Sequence, residues 1–265
     1  MSKKLSGFLL LLFFLNGCIP EDQSDVFWSS IDTTEKYTPF VFVFSNTQIP
    51  TCAELGQPQL EKILNGEIDD IIADDVNGCM MYPSILDPQY SNIAEELKFL
   101  FDQNGNNTLN TWPAYINDLT CFNIDSLQWH ESIKNSQSQI PIIQLGIKST
   151  PSNKEIKVYV KGVYTSSVSE HSIAVYAYRK SELASQTTDT GSEIFAMRNK
   201  IIYALTPTIG KSLTPNSEVE EEFREVFTLE TSDEDISNLG IVAVVYSLEN
   251  GTPNAVINSI KLEEL

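Results

Sequence analysis

The chain is poor in the residues from which most catalytic and metal centres are built. It has two histidines, His130 and His171, far apart in sequence, and four cysteines. No His/Cys spacing resembles a zinc site, and no serine, histidine and aspartate fall into an order that nominates a hydrolytic triad. No cofactor is expected on this basis. Positive charge is scarce too: 17 Lys and Arg stand against 36 Asp and Glu, giving a formal net charge of −19. Such a surface repels phosphate backbones, which excludes nucleic acid as an expected partner. A membrane-spanning run is also missing. The apolar stretch near the N-terminus, Leu5 to Leu15, covers about eleven residues, against the ~20 that cross a bilayer as a helix. What is present is the make-up of a folded protein: 42% hydrophobic and 20% charged residues, with ten tyrosines and thirteen phenylalanines.

The N-terminus has three parts. Lys3 and Lys4 precede the apolar run, and Leu15-Asn16-Gly17-Cys18 places small or polar residues directly before a cysteine. Leu-Asn-Gly-Cys resembles the lipobox of bacterial lipoproteins, in which the cysteine is acylated and the preceding peptide removed. The resemblance implies a signal peptide over residues 1–17 and a lipid-bearing, palmitate-type N-terminus at Cys18. One acyl chain binds membranes only marginally, so the several chains of a bacterial lipoprotein matter for anchoring. The membrane, reached through this lipid, is the first expected partner. Ile19 rather than Asp follows Cys18, which by similarity to lipoprotein sorting favours the outer membrane, facing the periplasm or the cell surface.

Residues 18–36 are polar with little periodicity and read as a flexible tether. Pro39 to Phe44 is an apolar run too short for a buried helix, and reads as a strand covered on both faces. A helix is expected from Thr51 to Leu64, closed by Asn65-Gly66, with a bend or late start at Pro58. Ile68 to Val76 reads as a second strand or a helix end. Helices follow at Ser91 to Phe101 and over residues 125–138, with a short Pro-led strand, Trp112 to Ile116, between them. That order is an α/β pattern. From about residue 139 it gives way to strands: Ile140 to Lys148, Glu155 to Tyr164, Ser172 to Tyr178, Glu222 to Leu229, Gly240 to Leu248 and Ala255 to Leu262. Their spacing predicts an antiparallel sandwich, interrupted by a helical segment over 193–205 and a loop from Pro207 to Pro215. Two domains are expected, 37–138 and 139–265.

An apolar strand feeding a turn and a cysteine-bearing helix, with Trp112-Pro113 some sixty residues later, resembles the thioredoxin fold. Lipobox, thioredoxin-like domain and C-terminal immunoglobulin-like β-sandwich together are similar to the outer membrane protein twenty-eight family of Gram-negative lipoproteins. The matching segments are Phe44-Ser45-Asn46-Thr47-Gln48-Ile49-Pro50-Thr51-Cys52-Ala53, Met197-Arg198-Asn199 to Thr208-Ile209-Gly210, and Asn238 to Val245. The resemblance implies that Pro113 is the cis-proline beside the thiol motif. Members often carry Phe-Thr-Gly followed by Cys-x-x-Cys-Pro. Here Ile49 stands where the attacking cysteine would be, and only Cys52 remains. Dithiol exchange needs a thiolate at the helix N-terminus, and isoleucine supplies none, so a two-cysteine oxidoreductase is not expected. With Cys18 lipidated, Cys52, Cys79 and Cys121 permit at most one internal disulfide. The fold resemblance brings the segment of Cys79 toward the first helix, which implies a Cys52–Cys79 pair.

Other features have plain readings. Asp102 to Asn107 imitates a calcium loop, but its glycine is at the fourth position rather than the sixth, so it reads as a polar turn. Tyr159, Tyr164, Tyr176 and Tyr178 are either an aromatic platform for sugars or peptides, or sandwich core. The expected function is a membrane-anchored, non-catalytic module that binds or adheres to a protein or glycan. Its rivals are a thiol-dependent redox or chaperone activity at Cys52 and a structural role in an outer-membrane complex. Cys18→Ser is expected to abolish metabolic labelling with a fatty acid and to release the protein from the membrane fraction. Equal fractionation of both forms with neither labelled would overturn the lipoprotein reading.

Overall fold

The computed structural model describes residues 24–103, 113–117, 119–122, 126–152, 154–214, 216–231 and 235–265. The expected signal peptide, Cys18, Trp112 and the calcium-like segment from residue 104 onward lie outside these residues. The chain divides into two compact units, residues 1–30 and 31–265. In the first, α1 (Asp25–Ser29) is capped by Ser24, whose Oγ accepts from the Phe27 amide at 3.1 Å. In the second, residues 31–36 are tied down rather than free. Ile31 is buried, the Thr34 amide donates to the Leu145 carbonyl at 3.0 Å, and Lys36 pairs with Asp75 at 2.9 Å. The expected flexible tether over 18–36 is corrected accordingly, since backbone and side-chain bonds fix its second half.

All five residues of β1 (Phe40–Phe44) are buried. Alternation sends Phe40, Phe42 and Phe44 into one apolar cluster and Val41 and Val43 into another on the opposite face. The helix expected from Thr51 to Leu64 is two helices, α2 (Pro50–Leu55) and α3 (Gln57–Leu64). The break is at Gly56, where a Cβ would stand 2.6 Å from the Cys52 carbonyl oxygen, and Pro58 occupies the first turn of α3. Residues 68–76 form neither strand nor regular helix beyond a 3-10 turn, Ala73–Asp75. The strand is β2 (Asn77–Met81), which lacks the β-branched signature of a strand and is stabilised by burial on both faces. Then come α4 (Asn92–Gln103), β3 (Ala114–Asn117), β4 (Thr120–Phe122) and α5 (Ser126–Gln137).

The remaining strands are β5 (Ile143–Pro151), β6 (Glu155–Tyr164), β7 (His171–Thr188), β8 (Gly191–Ala204), β9 (Lys211–Ser212), β10 (Glu222–Glu230), β11 (Leu239–Glu249) and β12 (Thr252–Leu262). The helical segment expected over 193–205 is corrected to β8. It pairs antiparallel with β7 from Tyr176↔Ala204 to Thr188↔Gly191, so cross-strand partners override its weak local preference. β7 is also far longer than expected, at 18 residues.

One sheet has nine strands in the order β12-β11-β7-β8-β2-β1-β3-β4, with β9 on β7; the other is β10-β6-β5. β1 and β2 run parallel, whereas β3 is antiparallel to both β1 and β4. The two sheets face each other through Val158, Phe227, Val175 and Val245. The architecture is mixed α/β and rich in sheet. Tyr159, Tyr164, Tyr176 and Tyr178 are all buried, so the aromatic-platform alternative is corrected to core. Element type does change near residue 138, between α5 and β5, yet residues 31–265 pack as one unit. The link is β8, which meets β2 in parallel at Met80↔Lys200. Among the described residues no helix is long and apolar enough to cross a membrane.

Gly240 on β11 lies opposite Tyr178 on β7, and a Cβ there would stand 2.3 Å from the tyrosine ring. The ring is buried, at 3% exposure. Gly240→Ala is therefore expected to lower stability by about 1–3 kcal/mol, the usual cost of overpacking a close-packed core. Urea denaturation checks this, and an unchanged midpoint would contradict the packing described.

Candidate functional site

β1 delivers the chain to a loop, Ser45 to Ile49, that ends at α2. Ile49 is the N-cap residue of α2 and Pro50 its first helical residue, so no side chain caps the helix. Cys52 lies within the first turn, its amide donating to the Ile49 carbonyl at 3.0 Å. The position expected for a nucleophile is therefore occupied by a half-buried hydrocarbon. The loop is held from below by Asp87, itself buried. The carboxylate accepts from the Thr47 amide at 2.6 Å, from Thr47 Oγ1 at 2.8 Å and from the Gln89 amide at 2.8 Å.

From above, the loop is covered by the distal half of the β7–β8 hairpin. Gln186 Nε2 donates toward the carbonyls of Thr47 at 3.0 Å and Ile49 at 3.2 Å, and the Thr187 amide donates to Thr47 at 2.7 Å. Further along, Gln57 Nε2 donates to the Ala196 carbonyl, and the Arg198 amide donates to Gln57 Oε1 at 3.2 Å. Arg198 also pairs with Glu61 at 3.3 Å. Met197 and Ala184 of the hairpin enter the same apolar cluster as Val41, Val43, Leu60 and Ile63. Sequence reasoning missed this cover altogether, because β7 beyond Tyr178 is polar along its solvent face and carries no strong strand signal.

Cys52 is 2% exposed beneath that cover. Burial raises its thiol pKa, the nearby Asp87 carboxylate adds to the rise, and hydrogen bonds from Ser45 and Asn46 oppose it without reversing it. A cavity of about 240 Å³ lies beside it, bounded by Tyr82, Phe195 and Met197 among others. Cys79 is buried too, and burial raises its thiol pKa strongly. It lies in the cluster with Phe40, Phe42 and Phe44, on the face of the sheet opposite α2. Both cysteines are free, so the expected Cys52–Cys79 pair is corrected: the sheet itself separates them. The Cys121 side chain is not among those described.

Pro113 is buried one residue ahead of β3, the antiparallel neighbour of β1. Tyr115, two residues on, stacks on Trp129 with ring centroids 4.2 Å apart, and burial raises its phenol pKa. The structure thus brings Ile49 and Cys52 together at the start of α2 and keeps Cys79 apart from them. Among the described residues no three His, Cys, Asp or Glu side chains converge to hold a metal ion.

No protein-family model matches the chain, and no curated protein does. Its fold recurs among solved structures. HBP35 of Porphyromonas gingivalis superposes with a TM-score of 0.69 at 13% identity, over 88% of this chain and 77% of that one. Protein AGR_C_4864 from Agrobacterium tumefaciens gives a TM-score of 0.57 at 12% identity, over 86% of this chain and 95% of that one.

Closure by the hairpin sets the reactivity of Cys52. In the native protein at pH 8, alkylation of Cys52 by iodoacetamide, followed peptide by peptide in mass spectra, is expected to run at least about tenfold slower than in urea. Each unit by which the thiol pKa rises removes about 90% of the thiolate. Gln186→Ala is expected to speed native labelling at Cys52 and leave Cys79 unlabelled. Equal rates in native and unfolded protein would contradict the closed site.

Proposed function

We propose that the protein is an outer-membrane lipoprotein, anchored through Cys18, whose folded part is a non-catalytic binding or adhesion module for a protein or glycan. In this reading the chain is a member of the outer membrane protein twenty-eight family. Residues 37–138 form a thioredoxin-like module and 139–265 an immunoglobulin-like sandwich. The order β2-β1-β3-β4, with parallel β1 and β2 and antiparallel β3 and β4, supports the first assignment. The antiparallel run β12-β11-β7-β8, facing the antiparallel β10-β6-β5 sheet through a shared apolar core, supports the second. A shared fold does not itself carry an activity, so the functional argument rests on the site.

The observation that carries it is the state of the thiol position. The nucleophile is replaced by Ile49, and Cys52 is a buried, protonated thiol beneath the β7–β8 hairpin. Either feature alone stops dithiol exchange, the first by removing the attacking sulfur and the second by excluding the substrate. What the scaffold retains is surface. The mature polypeptide is expected to show no insulin reduction or dithiol oxidation above background, and Cys52→Ala to be indistinguishable from it. Turnover that disappears in Cys52→Ala would overturn the non-catalytic reading. Immobilised protein tested against envelope proteins and a glycan array gives the complementary measurement, in which absence of saturable binding to either class would overturn the binding reading.

A further inference from the structure

Beside the Cys52 cavity, and sharing Gln57, Glu61 and Arg198 with it, lies a second cavity of about 300 Å³. The three shared residues form a sill between the two. On one side the lining is apolar, with Ala53, Phe195 and Met197 around the thiol. On the other, Lys180 of β7, Arg198 of β8 and Lys261 of β12 converge over Leu60 and Leu64 of α3. Three cations drawn from three separate strands meet in one concavity of a chain whose net charge is −19.

The local charge does not cancel. Arg198 is paired with Glu61 at 3.3 Å and Lys261 with Glu263 at 3.0 Å, while the Lys180 ammonium donates to the neutral Ser237 carbonyl at 3.0 Å. Among the described residues that line this cavity, two carboxylates, Glu61 and Glu263, stand against three cations. Both ion pairs are partly exposed to solvent, with Arg198 at 59% and Glu263 at 57%, so each holds weakly and can exchange its carboxylate for another anion. Asn65 and Asn199 line the same cavity, and the Asn65 side-chain amide donates to Glu67 Oε1 at 3.3 Å.

We propose that this groove binds one small amphiphilic organic anion, its charged group against Lys180, Lys261 and Arg198 and its apolar body across the Gln57–Arg198 sill toward Cys52. Charge complementarity selects the head group, and the apolar side chains of Ala53, Phe195 and Met197 beside the thiol select the body. No bond is made or broken. The site is independent of any protein or glycan surface, so the binding-module reading can fail while this one stands.

The test uses the mature polypeptide produced without its lipid and two dyes of nearly the same shape. 8-Anilinonaphthalene-1-sulfonate carries the negative charge, and N-phenyl-1-naphthylamine lacks it. The sulfonate is expected to bind at one saturable site at least about tenfold more tightly than the neutral dye, and decanoate to displace it. Lys180→Gln combined with Lys261→Gln is expected to weaken the sulfonate about tenfold and leave the neutral dye unchanged. Ala196→Phe, which fills the apolar chamber from an exposed position, is expected to weaken both dyes. The proposal is overturned by equal affinity for the two dyes, by a double variant that binds the sulfonate as the native protein does, or by displacement with inorganic phosphate but not with decanoate.

Discussion

The β7–β8 hairpin does two jobs with one pair of strands. Its first half belongs to the sandwich, where β7 pairs with β11 from His171 to Arg179. Beyond Arg179 that partnership ends, and the ribbon continues alone over α2 and α3. Ala184 and Met197 there complete the apolar cluster around Val41, Val43, Leu60, Ile63 and Trp129. They add to the cover that Leu60, Ile63, Tyr115 and Trp129 already give this face of β1, and burying a large apolar side chain such as Met197 is worth about 1.5–3 kcal/mol. The hairpin is thus one of the links that make residues 31–265 a single unit, beside the core that Phe40, Phe42 and Phe44 share with Tyr176, Val244 and Tyr246 and the bonds of Thr38 and Asn77 to β12. Lys200 marks the crossover: its backbone meets Met80 of β2, and its ammonium lies 3.3 Å from Glu182.

Closure has a chemical consequence. A thiol in a dry, apolar surrounding ionises less readily, and the carboxylate of Asp87 reinforces the effect on Cys52. Asp87 is kept buried because three donors satisfy it, two from Thr47 and one from Gln89. The same Thr47 offers its carbonyl to Gln186 and to the Thr187 amide, so a single loop residue is bonded to the sheet side and to the hairpin at once. Opening the thiol would break these bonds together and leave buried polar groups unpaired, which costs more than the bonds gain when made. Isoleucine at position 49 and the burial of the Cys52 thiol are physically separate features, one of sequence and one of packing.

Much of this fold was legible where a local pattern reports directly on burial. The run Phe40 to Phe44 predicts a strand covered on both faces, and it is one. The alternation Ile156, Val158, Val160 marks β6, and Pro58 marks the bend between α2 and α3. The failures share a cause. β2, with the sequence Asn-Gly-Cys-Met-Met, has no strand propensity of its own and is a strand because β1 is its neighbour. β8 over 191–204 has mixed polarity because only one face of the ribbon touches the protein, so its pattern resembles neither strand nor helix clearly. Ile49 and Cys52 were readable as a degenerate motif by family resemblance. Their cover was not, since Gln186 and Thr187 lie about 140 residues away along the chain. The Cys52–Cys79 pairing failed on a related point: chain order places the two segments close, but strand alternation puts Cys79 on the far face.

The same geometry links what the thiol site lost to what the neighbouring groove offers. A ribbon laid over α3 cannot follow a helix surface perfectly, because a flat two-stranded ladder and a cylinder touch along a line and diverge on either side. The space left over is the pair of cavities on each side of Gln57 and Arg198. On the inner side Ala53, Phe195 and Met197 line the gap together with Ser45, Gln186 and the thiol of Cys52. On the outer side the gap is lined by Lys180, Arg198 and Lys261 together with Leu60 and Leu64. Were the rim only structural, self-repulsion among three cations would favour a third carboxylate beside them, and the chain has 36 acidic residues from which to supply one. It supplies two. The remaining positive charge is an electrostatic cost in the empty protein and becomes a gain as soon as an anion enters, which makes the groove a place where binding and folding energies meet.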